Sequence, residues 1–252
     1  MIQTFFGDKA HAYSLTNGKS ISAQEYFKDP QLSFLQEHMG LTSLIVLKQT
    51  HSADGFIFSS KNVLARHCER PQGDVAIQEN LDIPPLRTHE GDFIITNQKN
   101  VGIAVLTADC LPIIFYDQHK KVIAIAHAGW RGSVKKIAQN VIQEMEVRFA
   151  TNVKNIQVWF GPAAQVCCYE VSENFYKEAA DDEQFQNSII KKGKNFFFDN
   201  GEYNKKQLLE MGILESALCF DAYLCTLCTP RFCSYRKDQG AQTRNVTVVS
   251  LK

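Results

Sequence analysis

The sequence predicts a mixed fold of the α/β or α+β class. Three observations predict it. Short apolar runs rich in β-branched residues recur along the chain with brief polar turns between them. An amphipathic segment with helical spacing follows the densest group of these runs. Strand-like runs also outnumber long helical ones.

Taken in order, residues 44–50 read as a strand running into His51. Residues 61–90, which hold Pro71, Gly73, Pro84 and Pro85, read as a long connection. Residues 92–96 read as a strand, 97–100 as a turn, and 101–106 as a second strand ending at Thr107, Ala108, Asp109 and Cys110. Pro112 precedes a third run at 113–117, and a polar turn leads into a fourth at 122–126. These four runs look like adjacent strands of one buried sheet. A helix is expected over 133–148, because Val134, Ile137, Ala138, Val141, Ile142 and Met145 share one face. Ser133 or a neighbour is its expected cap. Residues 156–160 read as a strand stopped by Gly161 and Pro162, 205–212 as a short helix, and 245–251 as a terminal strand.

The chain has 252 residues, a length suited to a single domain spanning 1–252. Its 44% hydrophobic and 21% charged content is that of a globular protein with a real core. Lysine plus arginine equals aspartate plus glutamate at 27 each, which argues against nucleic acid as a partner. No signal peptide and no bilayer-length apolar run is visible, so the expected location is the cytoplasm, with no membrane partner. The eight cysteines are then read as reduced thiols, which makes metal binding or catalysis the question to ask of each.

His51, Cys110 and His127 each follow or end a predicted strand. Singly, each has a plain reading: a solvated loop histidine, or a buried cysteine acting as a small apolar side chain. Together they offer two imidazoles and a thiolate, a credible zinc shell. Three protein ligands leave a fourth position open, the pattern of a catalytic zinc. Such an ion lowers the pKa of bound water to roughly 7 and polarises a substrate oxygen. Arg131, in the turn after His127, carries a planar fork suited to phosphate or carboxylate, and nearby backbone N–H groups favour anions. Cys225 and Cys228 form a C-x-x-C pair within a cluster that includes Cys219 and Cys233; zinc and redox chemistry are both open for it. The adjacent Cys167 and Cys168 read as core packing.

Lys48-Gln49-Thr50-His51, Gly91-Asp92, Thr107-Ala108-Asp109-Cys110-Leu111-Pro112, His127-Ala128-Gly129-Trp130-Arg131-Gly132, Cys168-Tyr169-Glu170-Val171 and Ser234-Tyr235-Arg236 occur in that order. This series resembles the YfiH-type laccase-domain family (polyphenol oxidase / purine nucleoside phosphorylase) over about residues 44–251. The resemblance implies a layered α+β sandwich of mixed sheets with flanking helices, grouped with a cysteine-hydrolase-like toxin domain of the cytotoxic-necrotizing-factor type. It implies a metal on His51, Cys110 and His127, usually zinc, with copper the alternative such ligands also accept. It implies phosphorolysis of adenosine, inosine and methylthioadenosine, with deamination of adenosine as a further reaction. The partners implied are a purine nucleoside and phosphate. Some family members are linked instead to peptidoglycan precursor editing. His51, Cys110, His127 and Asp109 are the catalytic candidates, with Glu170 a second candidate for proton handling. Gln49, Gly129 and Arg131 are the substrate-binding candidates. Residues 1–43 depart from the family pattern, and Cys233 stands where a phenylalanine is usual.

Two other chemistries use the same residues. A cysteine-type amidase would take Cys110 as nucleophile and His127 as base. A multicopper oxidase centre needs more histidines than a chain with seven in all can group here. A fourth reading keeps the fold without turnover, motivated by the divergent N-terminal part.

Overall fold

The computed structural model describes residues 1–8, 13–14, 30–59, 63–64, 90–178, 182–240 and 242–252. Most of the connection expected over 61–90, including Cys68 and its prolines, lies outside the described residues. The described strands are β1 Ile2–Phe6, β2 Tyr13–Ser14, β3 Ser43–Val46, β4 Gly55–Phe58, β5 Val63–Leu64, β6 Phe93–Thr96, β7 Val101–Thr107, β8 Leu111–Asp117, β9 Val122–Ala128, β10 Ile156–Phe160, β11 Glu170–Val171, β12 Ile189–Lys192, β13 Asn195–Phe198, β14 Leu218–Cys219 and β15 Thr243–Leu251. The described helices are α1 Pro30–His38, α2 Trp130–Val134, α3 Ile137–Phe149, α4 Glu173–Glu178, α5 Glu183–Gln186 and α6 Asn200–Glu210. None of them is long and apolar enough to cross a membrane.

The architecture is the expected mixed α/β sandwich. One sheet runs β1-β15-β7-β3, with β2 on β15; a second runs β14-β10-β8-β9-β6-β4-β5; a small third runs β11-β13-β12. Ile103 and Val105 of β7 and Val249 of β15 pack against Ile94, Ile114, Ile123 and Ile125 of the second sheet. The outer face of the first sheet, with Leu44, Ala104 and Val248, is covered by Leu32 and Leu35 of α1. The outer face of the second, with Phe93, Ile113 and Ala126, is covered by Val141, Ile142 and Met145 of α3. Two sheets thus lie between two helical layers, and the central strands are buried on both faces. That is why β7, β8 and β9 read as unbroken apolar runs rather than alternating ones. Each large aliphatic or aromatic side chain fully buried in this way contributes roughly 1.5–3 kcal/mol.

Four expectations require correction. The runs at 92–96, 101–106, 113–117 and 122–126 are not neighbours in one sheet: β7 belongs to the first sheet, while β6, β8 and β9 belong to the second. Between β7 and β8 the chain changes layer through Ala108, Asp109 and Cys110, with Asp109 at φ 84°. Asp and Asn tolerate this left-handed region better than most residues, and a run buried on both faces carries no mark of the sheet it joins. The helix expected over 133–148 is two helices, α2 and α3, broken where Lys136 takes φ 63°. Ser133 is not a cap. It lies inside α2, where its Oγ accepts a 2.9 Å hydrogen bond from Asn204 Nδ2 of α6. The helix expected at 205–212 begins earlier, at Asn200, capped by the Asp199 carboxylate on Glu202 N.

Candidate metal centre and active site

The site forms where the sheet edge, the layer change and the start of α2 meet. In the second sheet Leu111 of β8 faces Ala128 of β9, and Pro112 faces His127. Cys110, one residue before β8, therefore lies beside Gly129, one residue after β9. A Cβ on Gly129 would sit 3.2 Å from Cys110 Sγ, 3.3 Å from His51 Cδ2 and 3.7 Å from His127 Cε1. Glycine at this point leaves the centre of the site open.

His51 arrives from the other side. It is not at the end of its strand, as expected; β3 stops at Val46, and His51 sits in a following loop at φ 57°. The loop is wrapped around one carboxylate. Asp92 Oδ2 accepts hydrogen bonds from Thr50 N (3.2 Å), Thr50 Oγ (3.1 Å), Ser52 N (2.6 Å) and Ser52 Oγ (2.7 Å). Asp92 Oδ1 accepts from His51 N at 3.1 Å and from His127 Nδ1 at 2.8 Å. One buried aspartate thus positions both histidines. The sequence placed Asp92 at the head of a strand and in a motif, without a role. Its signal was a carboxylate leading directly into a fully buried apolar run, since a charge so placed must be paired.

The ligand atoms of His51, Cys110 and His127 lie within 4.8 Å of one another. The His51 and His127 rings meet edge to face at 4.9 Å. Because Asp92 occupies Nδ1 of His127, Nε2 is the atom presented to the site, the arrangement that orients a metal-bound imidazole. Two nitrogens and one sulfur at this spacing suit a tetrahedral N/S-preferring ion with one position left over. The electrostatics agree. Burial opposes the charged form of Cys110, yet the charge of His127 and hydrogen bonds from both histidines hold its thiol down at about 6. Burial also opposes protonation of His127, but Cys110 and Asp92 lift it to about 9. Asp92 is held at about 2, against its burial, by His127 and Ser52.

The remaining candidates divide. Asp109 is buried and close in sequence to Cys110, but both carboxylate oxygens are engaged: Oδ1 accepts from Thr226 Oγ at 2.7 Å and Oδ2 from Arg236 N at 2.9 Å. Gln49 donates from Nε2 to Leu106 O at 2.7 Å and accepts at Oε1 from Leu106 N at 2.8 Å, so its carboxamide extends the edge of β7. Arg131 is exposed and stacks on Trp130 at 4.3 Å. Glu170 is exposed on β11, and its backbone oxygen takes a 2.5 Å hydrogen bond from Arg236 Nη1. Arg236 also lies over the Tyr169 ring at 4.5 Å. Burial first, then the charge of Cys110, raises the Tyr169 phenol, while Arg236 and Arg131 act in the opposite sense. Tyr169 is buried with its ring on Phe198 and Arg236 over it; the sequence showed both residues only as motif letters.

A family model described as multi-copper polyphenol oxidoreductase laccase matches residues 29–252. A purine nucleoside phosphorylase of Aquifex aeolicus is 34% identical over 194 residues, covering 77% of this chain and 86% of that one. A purine nucleoside phosphorylase of Clostridium acetobutylicum is 28% identical over 253 residues, covering 98% and 94%. Among solved structures, the protein YfiH of Bacillus licheniformis superposes with a TM-score of 0.74 at 23% identity, covering 100% of this chain and 93% of that one. YlmD of Geobacillus stearothermophilus gives 0.73 at 21%, covering 100% and 90%.

Proposed function

The chain belongs to the multi-copper polyphenol oxidoreductase laccase family, and from that footing we propose that it is a metal-dependent purine nucleoside phosphorylase. The observation that carries the proposal is the three-ligand cluster of His51, Cys110 and His127, open toward Gly129 and backed by Asp92. Relatives from two distant bacteria, matched over most of their length, bear the phosphorylase name, which supports the substrate class.

In phosphorolysis a phosphate oxygen bonds to the anomeric carbon as the bond from that carbon to the purine nitrogen breaks. The base leaves with the electron pair and takes up a proton. A zinc ion held by the three ligands would act as a Lewis acid at a substrate oxygen. The protein's own share is positioning and charge. Arg131, stacked on Trp130, and Arg236, over the Tyr169 ring, are the cations we assign to phosphate, with the backbone around Gly129 as further donors. Gln49 and Asp109, with their polar atoms already engaged, hold the loops that carry His51 and Cys110. Hydrolytic deamination of adenosine, in which water replaces the exocyclic amine, is the second reaction the same centre would support. Zinc is the ion the mixed N/S set favours, and copper the competitor.

A second reading has its own observation. Without metal, Cys110, His127 and Asp92 stand as thiol, imidazole and carboxylate in sequence, with the thiol pKa near 6. That is the order of a cysteine amidase, with Cys110 attacking a carbonyl and His127 carrying the proton.

The deciding experiment incubates zinc-loaded protein with adenosine, with and without phosphate, beside a Cys110→Ala variant, and separates the products. Adenine that requires phosphate and is lost in the variant supports phosphorolysis. Inosine without phosphate supports deamination. Neither product, with the metal retained, overturns the nucleoside reading and brings the amidase forward.

A further inference from the structure

A second group of thiols lies apart from the centre just described. The sequence suggested Cys219, Cys225, Cys228 and Cys233 as neighbours and Cys167 and Cys168 as core packing. The structure sorts them differently. Cys167, Cys168, Cys225 and Cys228 bring their sulfurs within 4.8 Å of one another. Cys219 lies in β14, and Cys233 is fully buried on the far part of its loop, its backbone paired with the Asn245 side chain. Cys228 Sγ is 3.6 Å from Cys167 Sγ and 3.0 Å from Cys168 Sγ. Two adjacent cysteines reach the same point because residues 166–168 form a turn, with Cys168 N and Tyr169 N both donating to Gln165 O.

We propose that these four cysteines bind a single structural zinc ion in an all-thiolate tetrahedral site. With zinc–sulfur bonds of about 2.3 Å, the edges of such a tetrahedron are about 3.8 Å, so the observed group needs only small adjustments to close on an ion. Four sulfurs this close leave room for one metal. A multi-iron cluster binds its cysteines on different irons and would need them set further apart.

Backbone donors also converge on one sulfur of the group. Backbone N–H groups of Cys228, Gln165 and Leu227 are aimed at the Cys225 sulfur. Donors converging on the first sulfur of a C-x-x-C turn stabilise its charged form, the form a metal takes. Within the same loop the Lys237 ammonium donates to Thr226 O, Phe232 O and Thr229 O at 2.8, 3.1 and 3.4 Å. Lys237 thereby ties together the carbonyls of the loop that carries Cys225 and Cys228.

The site would join two loops that are already registered. Ala163 N donates to Leu224 O at 3.1 Å, Thr226 N donates to Ala163 O at 3.0 Å, and Gln165 Nε2 donates to Tyr223 O at 2.6 Å. The second loop supplies Thr226 and Arg236 to Asp109, the neighbour of Cys110. A metal clamp here would stiffen the wall of the active site without touching substrate.

The test counts and characterises metal. Protein purified with zinc under reducing conditions is expected to hold two zinc ions per chain, and Cys110→Ala to hold one. X-ray absorption at the zinc edge of that variant is expected to show four sulfurs at about 2.3 Å. The wild type gives an independent reading: alkylation followed by peptide mass spectrometry should find Cys167, Cys168, Cys225 and Cys228 protected until zinc is chelated, with Cys219 labelled equally before and after. One zinc in the wild type with all four cysteines labelled throughout would overturn the proposal. So would a zinc shell dominated by nitrogen and oxygen, or an intact mass two hydrogens short that marks a Cys168–Cys228 disulfide in the metal's place.

Discussion

Asp92 and His127 face each other across 2.8 Å in the interior, the carboxylate wholly buried and the imidazole 3% exposed. The same carboxylate gathers the loop that carries His51. It therefore sets the geometry of two candidate metal ligands.

Asp92→Asn keeps the shape but removes the charge that fixes the His127 tautomer. Its affinity for zinc is expected to fall roughly 10–100-fold, as for other groups behind a metal ligand. Competition against a chelator measures it. Asp92→Ala removes six hydrogen bonds as well and should cost about 3–5 kcal/mol of folding stability in denaturant titration. A variant that bound zinc as tightly as the wild type would show that Asp92 has no part in the site.

Cys110 should betray its thiolate once the metal is removed. Its pKa is lowered, so the charged form persists above about pH 6 and is lost as the pH falls through that value. Alkylation of metal-free protein is expected to rise with a midpoint near pH 6, where an ordinary thiol would titrate near 8.5. Zinc should abolish the reaction. A midpoint at the ordinary value would mean that His127 does not stabilise the thiolate.

Gly129→Ala tests the open centre. Its backbone, φ −65° and ψ 158°, suits any residue, so the protein should fold with little change in melting temperature. The new methyl would press on Cys110 and His51 at 3.2 and 3.3 Å. Turnover is expected to fall roughly tenfold to a hundredfold, the scale of a small displacement of reacting groups. Zinc content and kcat are the measurements.

Gln49→Ala separates a structural role from a substrate contact. Leaving the Leu106 N–H and C=O without their partner should cost about 1–3 kcal/mol for each group that stays buried. Thermal unfolding would report that loss while KM stays near the wild-type value. Raised KM with unchanged stability would return Gln49 to the substrate.

The fold class was legible because it rests on local pattern. Apolar runs of strand length at 93–96, 101–107, 111–117 and 122–128 and the amphipathic face of α3 survive in the structure nearly as read. The three metal-ligand candidates were legible because imidazole and thiolate chemistry is a property of residue type, and His51, Cys110 and His127 do converge. What sequence alone determined was therefore which segments would be buried and which side chains could bind an ion. Tertiary structure decided the rest. It placed β7 in a different sheet from its neighbours, because a strand buried on both faces carries no sign of its partners. It gave Asp92 the task of orienting both histidines, since a carboxylate's role depends on which donors surround it. It also brought Cys167 and Cys168 to Cys228 across some sixty positions of chain. No local periodicity encodes such a meeting; it follows only from the register of two loops packed side by side.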